Sequence, residues 1–233
     1  MMRVKQRGQS MVEYAIVMVL LALAILLVLQ VAGISVRDVF CKVIVGLGGS
    51  GSICTGKYCE DEFANMDNWQ SAGTGGWTVQ NGQLCSTKDG EQRIFNRCTL
   101  QNGAPSDYTV NVNVATLFQG NGYGVYFRMQ DSSSWNGYGF QYDPGYNGFV
   151  FRKWVNGYEL SKPLAAVQMP KYNWYNQPRK IQVVVQGNTF KAYVDGVLVL
   201  TAQDDTYSKG GAAFRTWSST RSCFDGFSTS PLW

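Results

Sequence analysis

From about Cys59 onward the side chains alternate, and a two-residue period dictates β-strands. Tyr108-Thr-Val-Asn-Val-Asn-Val-Ala shows it most cleanly, followed by Ile181-Gln-Val-Val-Val-Gln, Thr189-Phe-Lys-Ala-Tyr-Val and Val197-Leu-Val-Leu. Neighbouring side chains of a strand point to opposite faces, so such runs bury one face and wet the other. Pairs that favour tight hairpins separate them: Asn81-Gly82, Asp89-Gly90, Asn156-Gly157, Gly187-Asn188 and Asp195-Gly196. About twelve short strands are expected, with no helical pattern among them. The fold class is a long N-terminal apolar helix followed by an all-β domain, an antiparallel β-sandwich of jelly-roll type over residues 59–233. That segment is long enough for its own core.

The first forty residues differ. Arg3, Lys5 and Arg7 precede an uncharged run from Tyr14 to Val36. A helix of that length spans a hydrocarbon core of roughly 30 Å, and the basic flank keeps the N-terminus cytoplasmic. The run is too long for a signal peptide and lacks a small-residue cleavage pattern. Glu13 at its mouth is a functional suspect, since acids there are costly. Gly46-Leu-Gly-Gly-Ser-Gly-Ser52 reads as a flexible linker.

Composition excludes whole mechanisms. The chain has no His, which removes imidazole catalysis and His-ligated zinc. A hydrophobic fraction of 45% excludes a disordered chain. The formal charge of +4 falls to 4 − 3 = +1 without Arg3, Lys5 and Arg7, and residues 60–233 hold 14 basic and 14 acidic side chains. The basic bias therefore marks membrane orientation and names no nucleic-acid partner.

Gly8-Gln9-Ser10-Met11-Val12-Glu13-Tyr14 resembles the processing site of Flp/Tad-type (type IVb) prepilins. The resemblance implies a leader over 1–8, cleavage between Gly8 and Gln9, and a transmembrane and assembly helix over 9–45. It gives Glu13 and Tyr14 an assembly role, Glu13 neutralising the freed amine of an adjacent subunit. The linker then covers 46–58 and the sandwich stands on the filament surface. The implied partners are identical subunits, the prepilin peptidase with its assembly machinery, and the inner membrane before an extracellular pilus forms. The function so implied is a pilin subunit displaying an adhesive sandwich. The alternative is a membrane-tethered lectin-like carbohydrate-binding protein, and a glycoside hydrolase is a third reading.

The second part resembles the concanavalin A-like, laminin-G-like sandwich. Three segments carry this: Glu62-Phe63 through Gly82-Gln-Leu84, Gly122-Tyr-Gly-Val-Tyr-Phe-Arg128 through Arg152-Lys153, and Tyr193-Val-Asp195-Gly196 through Phe224-Asp225-Gly-Phe227. The first and last strands pair in that fold. Sandwich glucanases carry carboxylates as E-x-D-x-E along one strand, and no such string is present. Glu60-Asp61-Glu62, Asp204-Asp205 and Glu159 read as solvated edge charges, so no catalytic residue is assigned. Asp131, Asp143 and Asp204 lack Asp-x-Asp spacing, so neither metal nor cofactor is expected.

Trp135, Tyr138, Tyr146, Trp154, Tyr172 and Trp174 are candidates for glycan or subunit contact, because large amphipathic rings in loops suit either. Tyr126, Phe140 and Phe151 are assigned to the sandwich interior. Cys41, Cys54, Cys59, Cys85, Cys98 and Cys223 are even in number, lack C-x-x-C spacing and favour disulfides. Terminal-strand pairing of the resembled fold suggests Cys59–Cys223, with Cys85–Cys98 and Cys41–Cys54 as the remaining pairs.

Overall fold

A computed structural model describes residues 13–21, 23, 24, 40, 43, 44, 47, 58–72, 75–101 and 106–232. Among these, sixteen strands form two antiparallel eight-stranded sheets. The first sheet runs β14 (Val197–Gln203), β13 (Thr189–Val194), β12 (Pro178–Gln186), β6 (Tyr108–Gln119), β16 (Arg221–Pro231), β4 (Gln83–Ser86) and β3 (Trp77–Gln80). Strand β1 (Cys59–Asp61) also pairs with β16. The second sheet runs β10 (Tyr158–Glu159), β9 (Gly148–Val155), β8 (Gly137–Asp143), β7 (Tyr123–Met129), β15 (Gly211–Thr216), β5 (Gln92–Asn96) and β2 (Trp69–Ala72). Strand β11 (Ala165–Gln168) lies on β9.

The expected sandwich is therefore present, and the alternating segments form β6, β12, β13 and β14 of its first sheet. The extra strands β1, β10 and β11 have two to four residues, too few to show a period. One five-residue helix, α1 (Arg97–Gln101), also escaped the pattern. Asn96 caps it: its Oδ1 accepts from the Thr99 N–H at 2.9 Å.

Aromatic rings join the sheets. Phe214 of β15 stacks on Phe224 of β16 with centroids 4.4 Å apart, and Trp69 stacks on Phe214 at 5.0 Å. Asp61 is buried rather than solvated. It accepts from Trp69 Nε1 at 3.0 Å and from the Phe63 N–H at 2.7 Å, satisfying groups that would otherwise lose water unpaired. Buried Arg128 donates to the carbonyls of Tyr207, Ser106 and Gly187, tying three loops together at one end.

The expected long helix over 9–45 is not found among the described residues. Helical positions there are 13–21, 23, 24, 40, 43 and 44, with Glu13 and Tyr14 exposed. No helix among the described residues is long and apolar enough to cross a membrane. An apolar run signals burial without specifying an element or a medium. Gly8, Gln9, Cys41 and Cys54 lie outside the described residues, as does the linker apart from Leu47 and Tyr58.

Among the described residues the disulfides are Cys59–Cys98 and Cys85–Cys223, in place of the expected Cys59–Cys223 and Cys85–Cys98. The first and last strands do pair, but Cys59 stands opposite Thr229. Cys223 lies six positions away along β16, roughly 20 Å at strand rise, and opposite Cys85. The bridge to Cys98 instead fastens β1 to α1. Peptide mapping without reductant should recover these two pairs. Replacing Cys85 and Cys223 together by Ser should cost about 2–5 kcal/mol, read from a denaturant midpoint.

Candidate functional site

The second sheet has two unlike faces. Its inner face carries Val125, Phe127, Tyr138, Phe140, Tyr142, Phe149, Phe151 and Phe214 in the main core. Its outer face supports a separate buried cluster of Phe95, Tyr126, Met129, Trp135, Trp154 and Ala213. Tyr126 thus leaves the interior to which its alternating neighbours Phe140 and Phe151 belong.

Strand register arranges that outer face in cross-strand rows. One row reads Ala72, Arg93, Arg215, Gly124, Gln141, Val150; the next reads Gln70, Phe95, Ala213, Tyr126, Gly139, Arg152. Tyr126 lies over two glycines. A Cβ on Gly124 or Gly139 would come within 2.3 or 2.5 Å of its ring, so glycine is what lets the ring lie flat there.

Arg93 and Arg215 are directly opposed on neighbouring strands, an arrangement that like charges resist. Glu91 resolves it. Its carboxylate accepts from Arg215 Nη2 at 3.2 Å and from Arg93 Nε, and Arg215 Nε lies at ion-pair distance, 3.1 Å. On the other side Arg215 Nη1 reaches Glu159 Oε2 at 3.3 Å, and Arg152 Nε reaches Glu159 Oε1 at 3.2 Å. Gln141 Nε2 also donates to Glu159 at 2.7 Å. Glu159 is therefore a bridging acceptor and not a lone edge charge.

Tryptophans frame the guanidiniums. Arg93 lies over Trp135 and Trp154 at 4.9 and 4.8 Å, and Arg215 over Trp154 and Trp217 at 4.6 and 4.8 Å. The loop that delivers Trp135 is rigid. Asp131 Oδ1 accepts from the N–H groups of Ser133 and Ser134 at 2.7 and 2.6 Å, and Gln130 N–H donates to the Asn136 carbonyl at 2.9 Å. Those hydroxyl and amide bonds, Ser133 foremost, hold the Asp131 carboxyl down to about 2.

An open recess of about 510 Å³ adjoins this network, lined by Ala72, Glu91, Arg93, Ser132 and Ser133. Its volume falls in the range of small-molecule sites. Burial opposes the charge on Arg215, but Tyr126, Glu91 and Glu159 outweigh it and raise its pKa. Burial also pushes Glu91 up, and Arg215 with Arg93 pulls it below the usual carboxylate range. Glu91 thus stays ionised at the rim beside the Arg93 guanidinium, an acceptor next to a donor for hydroxyl groups.

The expected aromatic candidates divide. Trp135 stands in a loop yet is 1% exposed, packed on Phe95 at 4.6 Å, and meets Trp154 at the outer cluster. Tyr138 is in the core and donates its hydroxyl to Asp204 at 2.5 Å. Trp174 and Tyr172 pack at one end of the core against Tyr142 and Phe149. Tyr146 is partly exposed beneath Arg152 at 5.7 Å. Glu91, Arg93, Arg152 and Arg215 were not singled out from sequence. The available signal was a glycine at every second position, Gly122, Gly124, Gly137 and Gly139, which marks a face making room for large side chains.

The architecture is that of a lectin-like β-sandwich. The chain belongs to the family of 3-keto-alpha-glucoside-1,2-lyase-like domains, whose model matches residues 60–224. It is 29% identical over 149 residues to a levanase of Bacillus subtilis (strain 168), covering 62% of this chain and 21% of the levanase. The chain therefore spans about a fifth of that relative. Among solved structures, the carbohydrate-binding module CBM66 from Bacillus subtilis superposes with a TM-score of 0.60 at 23% identity, over 70% of this chain and 95% of the module. A galectin-like protein of unknown function from Bacillus subtilis gives 0.59 at 13%, over 76% and 97%. The carbohydrate recognition domain of Emp47p gives 0.57 at 13%, over 79% and 100%. These likenesses show the fold.

The family match corrects the pilin reading. That resemblance covered residues 1 to about 40, whereas the matched family domain spans 60–224. The implied filament of identical subunits, the prepilin peptidase and the assembly machinery do not follow, nor does a membrane-spanning helix among the described residues.

Two tests address the network. Arg215→Met strips both carboxylates of a buried partner and should cost about 3–5 kcal/mol in urea unfolding. Asp143, on the same face and 8% exposed, is raised to about 6, chiefly by burial. It holds its proton more tightly folded than unfolded, so its contribution is full below about pH 4 and lost as pH rises through about 6. Asp143→Asn should therefore raise stability at pH 7–8 by about 1–3 kcal/mol, and the gain should vanish near pH 4.

Proposed function

We propose that this domain is a non-catalytic carbohydrate-binding module whose ligand enters the recess on the outer face of the second sheet. The observation that carries the reading is the Glu91–Arg93 pair at the rim of that recess, held by Arg215 behind it and by two tryptophan rings. A carboxylate and a guanidinium side by side offer an acceptor and a donor to adjacent sugar hydroxyls, and charge-assisted bonds of this kind are the strong ones. Trp135 and Trp154 then position Arg93, while the ligand itself meets Glu91, Arg93 and the Ser132 and Ser133 loop. The kinship to a levanase and the fold of a carbohydrate-binding module support a saccharide as the ligand.

Binding is favoured over turnover by the state of the carboxylates. Glycoside cleavage wants one carboxyl group near neutral pKa beside an ionised partner. Glu91, which lines the recess, is held ionised by two arginines, while Asp143, raised to about 6 on the same face, is buried and does not line it. The two disulfides fit an oxidising compartment, so the domain works outside the cytoplasm.

Titration of the chain with a panel of oligosaccharides, levan among them, followed by tryptophan fluorescence, tests this. At least one should bind without release of reducing sugar. Glu91→Gln should weaken that binding about tenfold or more. A panel without a single binder refutes the reading, and steady release of reducing sugar refutes its non-catalytic part.

A further inference from the structure

Five charges of the outer face form one alternating chain: Arg93, Glu91, Arg215, Glu159, Arg152; Asp143, on the same face, is buried and does not line the recess. Each inner member is bracketed by two opposite charges. The chain is odd in number, so it begins and ends in arginine. At one end, Arg152 spends Nη1 on the Leu160 and Ser161 carbonyls at 3.5 and 2.8 Å and lies over Tyr146. At the other end, Arg93 has a carboxylate on one side only and borders the open recess on the other. Its Nε donates to Glu91 and its Nη2 to the Gly157 carbonyl at 3.3 Å, which uses two of five N–H donors and leaves three among the described residues.

The geometry points to an acidic saccharide, one bearing a uronate carboxylate, as the ligand class of this recess. The ligand's carboxylate completes the alternation as its sixth member, against the free edge of Arg93. A guanidinium suits this role because its planar fork matches a carboxylate with two parallel bonds. Here the guanidinium is held beforehand against the Trp135 and Trp154 rings, which stand edge to face beside it. Glu91 does not repel the incoming charge outright, since its carboxylate is already shared by two arginines. Hydroxyls of the same sugar then fall to Ser132 and to the remaining lone pairs of Glu91. This inference rests on the carbohydrate-binding reading of the same recess and narrows it.

The test pairs sugars that differ only at C6. Calorimetry of the full chain compares methyl β-glucuronide with methyl β-glucoside, and an array carries uronate-ended and neutral-ended oligosaccharides. The acidic member should bind about tenfold tighter at low salt, and that advantage should shrink as ionic strength rises. Arg93→Gln should abolish it, with Arg93→Lys keeping part. The salt dependence needs no variant, so a poorly folding Arg93→Gln leaves the test intact. Equal or tighter binding of the neutral sugar overturns the acidic preference and leaves carbohydrate binding standing. Silence from every sugar, neutral and acidic, overturns both.

Discussion

Arg215 lies nearly buried on the outer face of a sheet whose other face is a packed core, and much of the molecule's character follows from keeping that charge content. A buried guanidinium is costly unless its donors are used and its charge answered. Glu91 and Glu159 answer it from two sides, Tyr126 offers its hydroxyl at 3.4 Å, and Trp154 and Trp217 cover its faces. Each partner then needs support of its own. Tyr126 needs Gly124 and Gly139 beneath it. Trp135 needs the turn that Asp131 caps. Glu159 belongs to a two-residue strand held only against β9.

This makes the second sheet a shared wall between two clusters of different chemistry. Inside, rings from both sheets interlock, and among the described residues no ionised side chain belongs to that cluster. Outside, rings and ions interleave and leave a recess at the edge. Sandwich architecture agrees with such a division, because each sheet buries one face in the core and turns the other outward. The N-terminal motif that resembled a pilin carries no comparable weight. That resemblance covers residues 1 to about 40, while the matched family domain covers residues 60–224.

Legibility in the sequence followed the length scale of each feature. Strands with one wet face announced themselves by period, so the sandwich and its strands β6, β12 and β13 were readable, whereas β7, β8 and β15, buried on both faces, showed no alternation. Trp135 was recognised as special, but its loop position suggested exposure; only the turn built on Asp131 shows that the ring folds back to 1% exposure. Glu159 looked solitary because its partners Arg152 and Arg215 are 7 and 56 residues away and on other strands. Tyr126 and Phe140 both read as core because two hydrophobic positions in successive strands do not reveal a shared or opposite face until register is fixed. The disulfides failed for the same reason, since first-to-last strand pairing was anticipated and its register was not.

The sequence by itself determined the antiparallel sandwich, through alternation and hairpin pairs, and it excluded imidazole chemistry through the absence of His. Those are local or compositional properties, which need no knowledge of what lies across a strand. Tertiary structure alone decided the site. Arg93 and Arg215 are 122 positions apart in the chain, and only the pairing of β5 with β15 sets them side by side. Glu91 and Glu159 come from different edges of the same sheet, and the recess exists because the Trp135 loop folds over them. A network of charges is defined by distances of a few ångströms between remote residues, and no one-dimensional pattern encodes those distances.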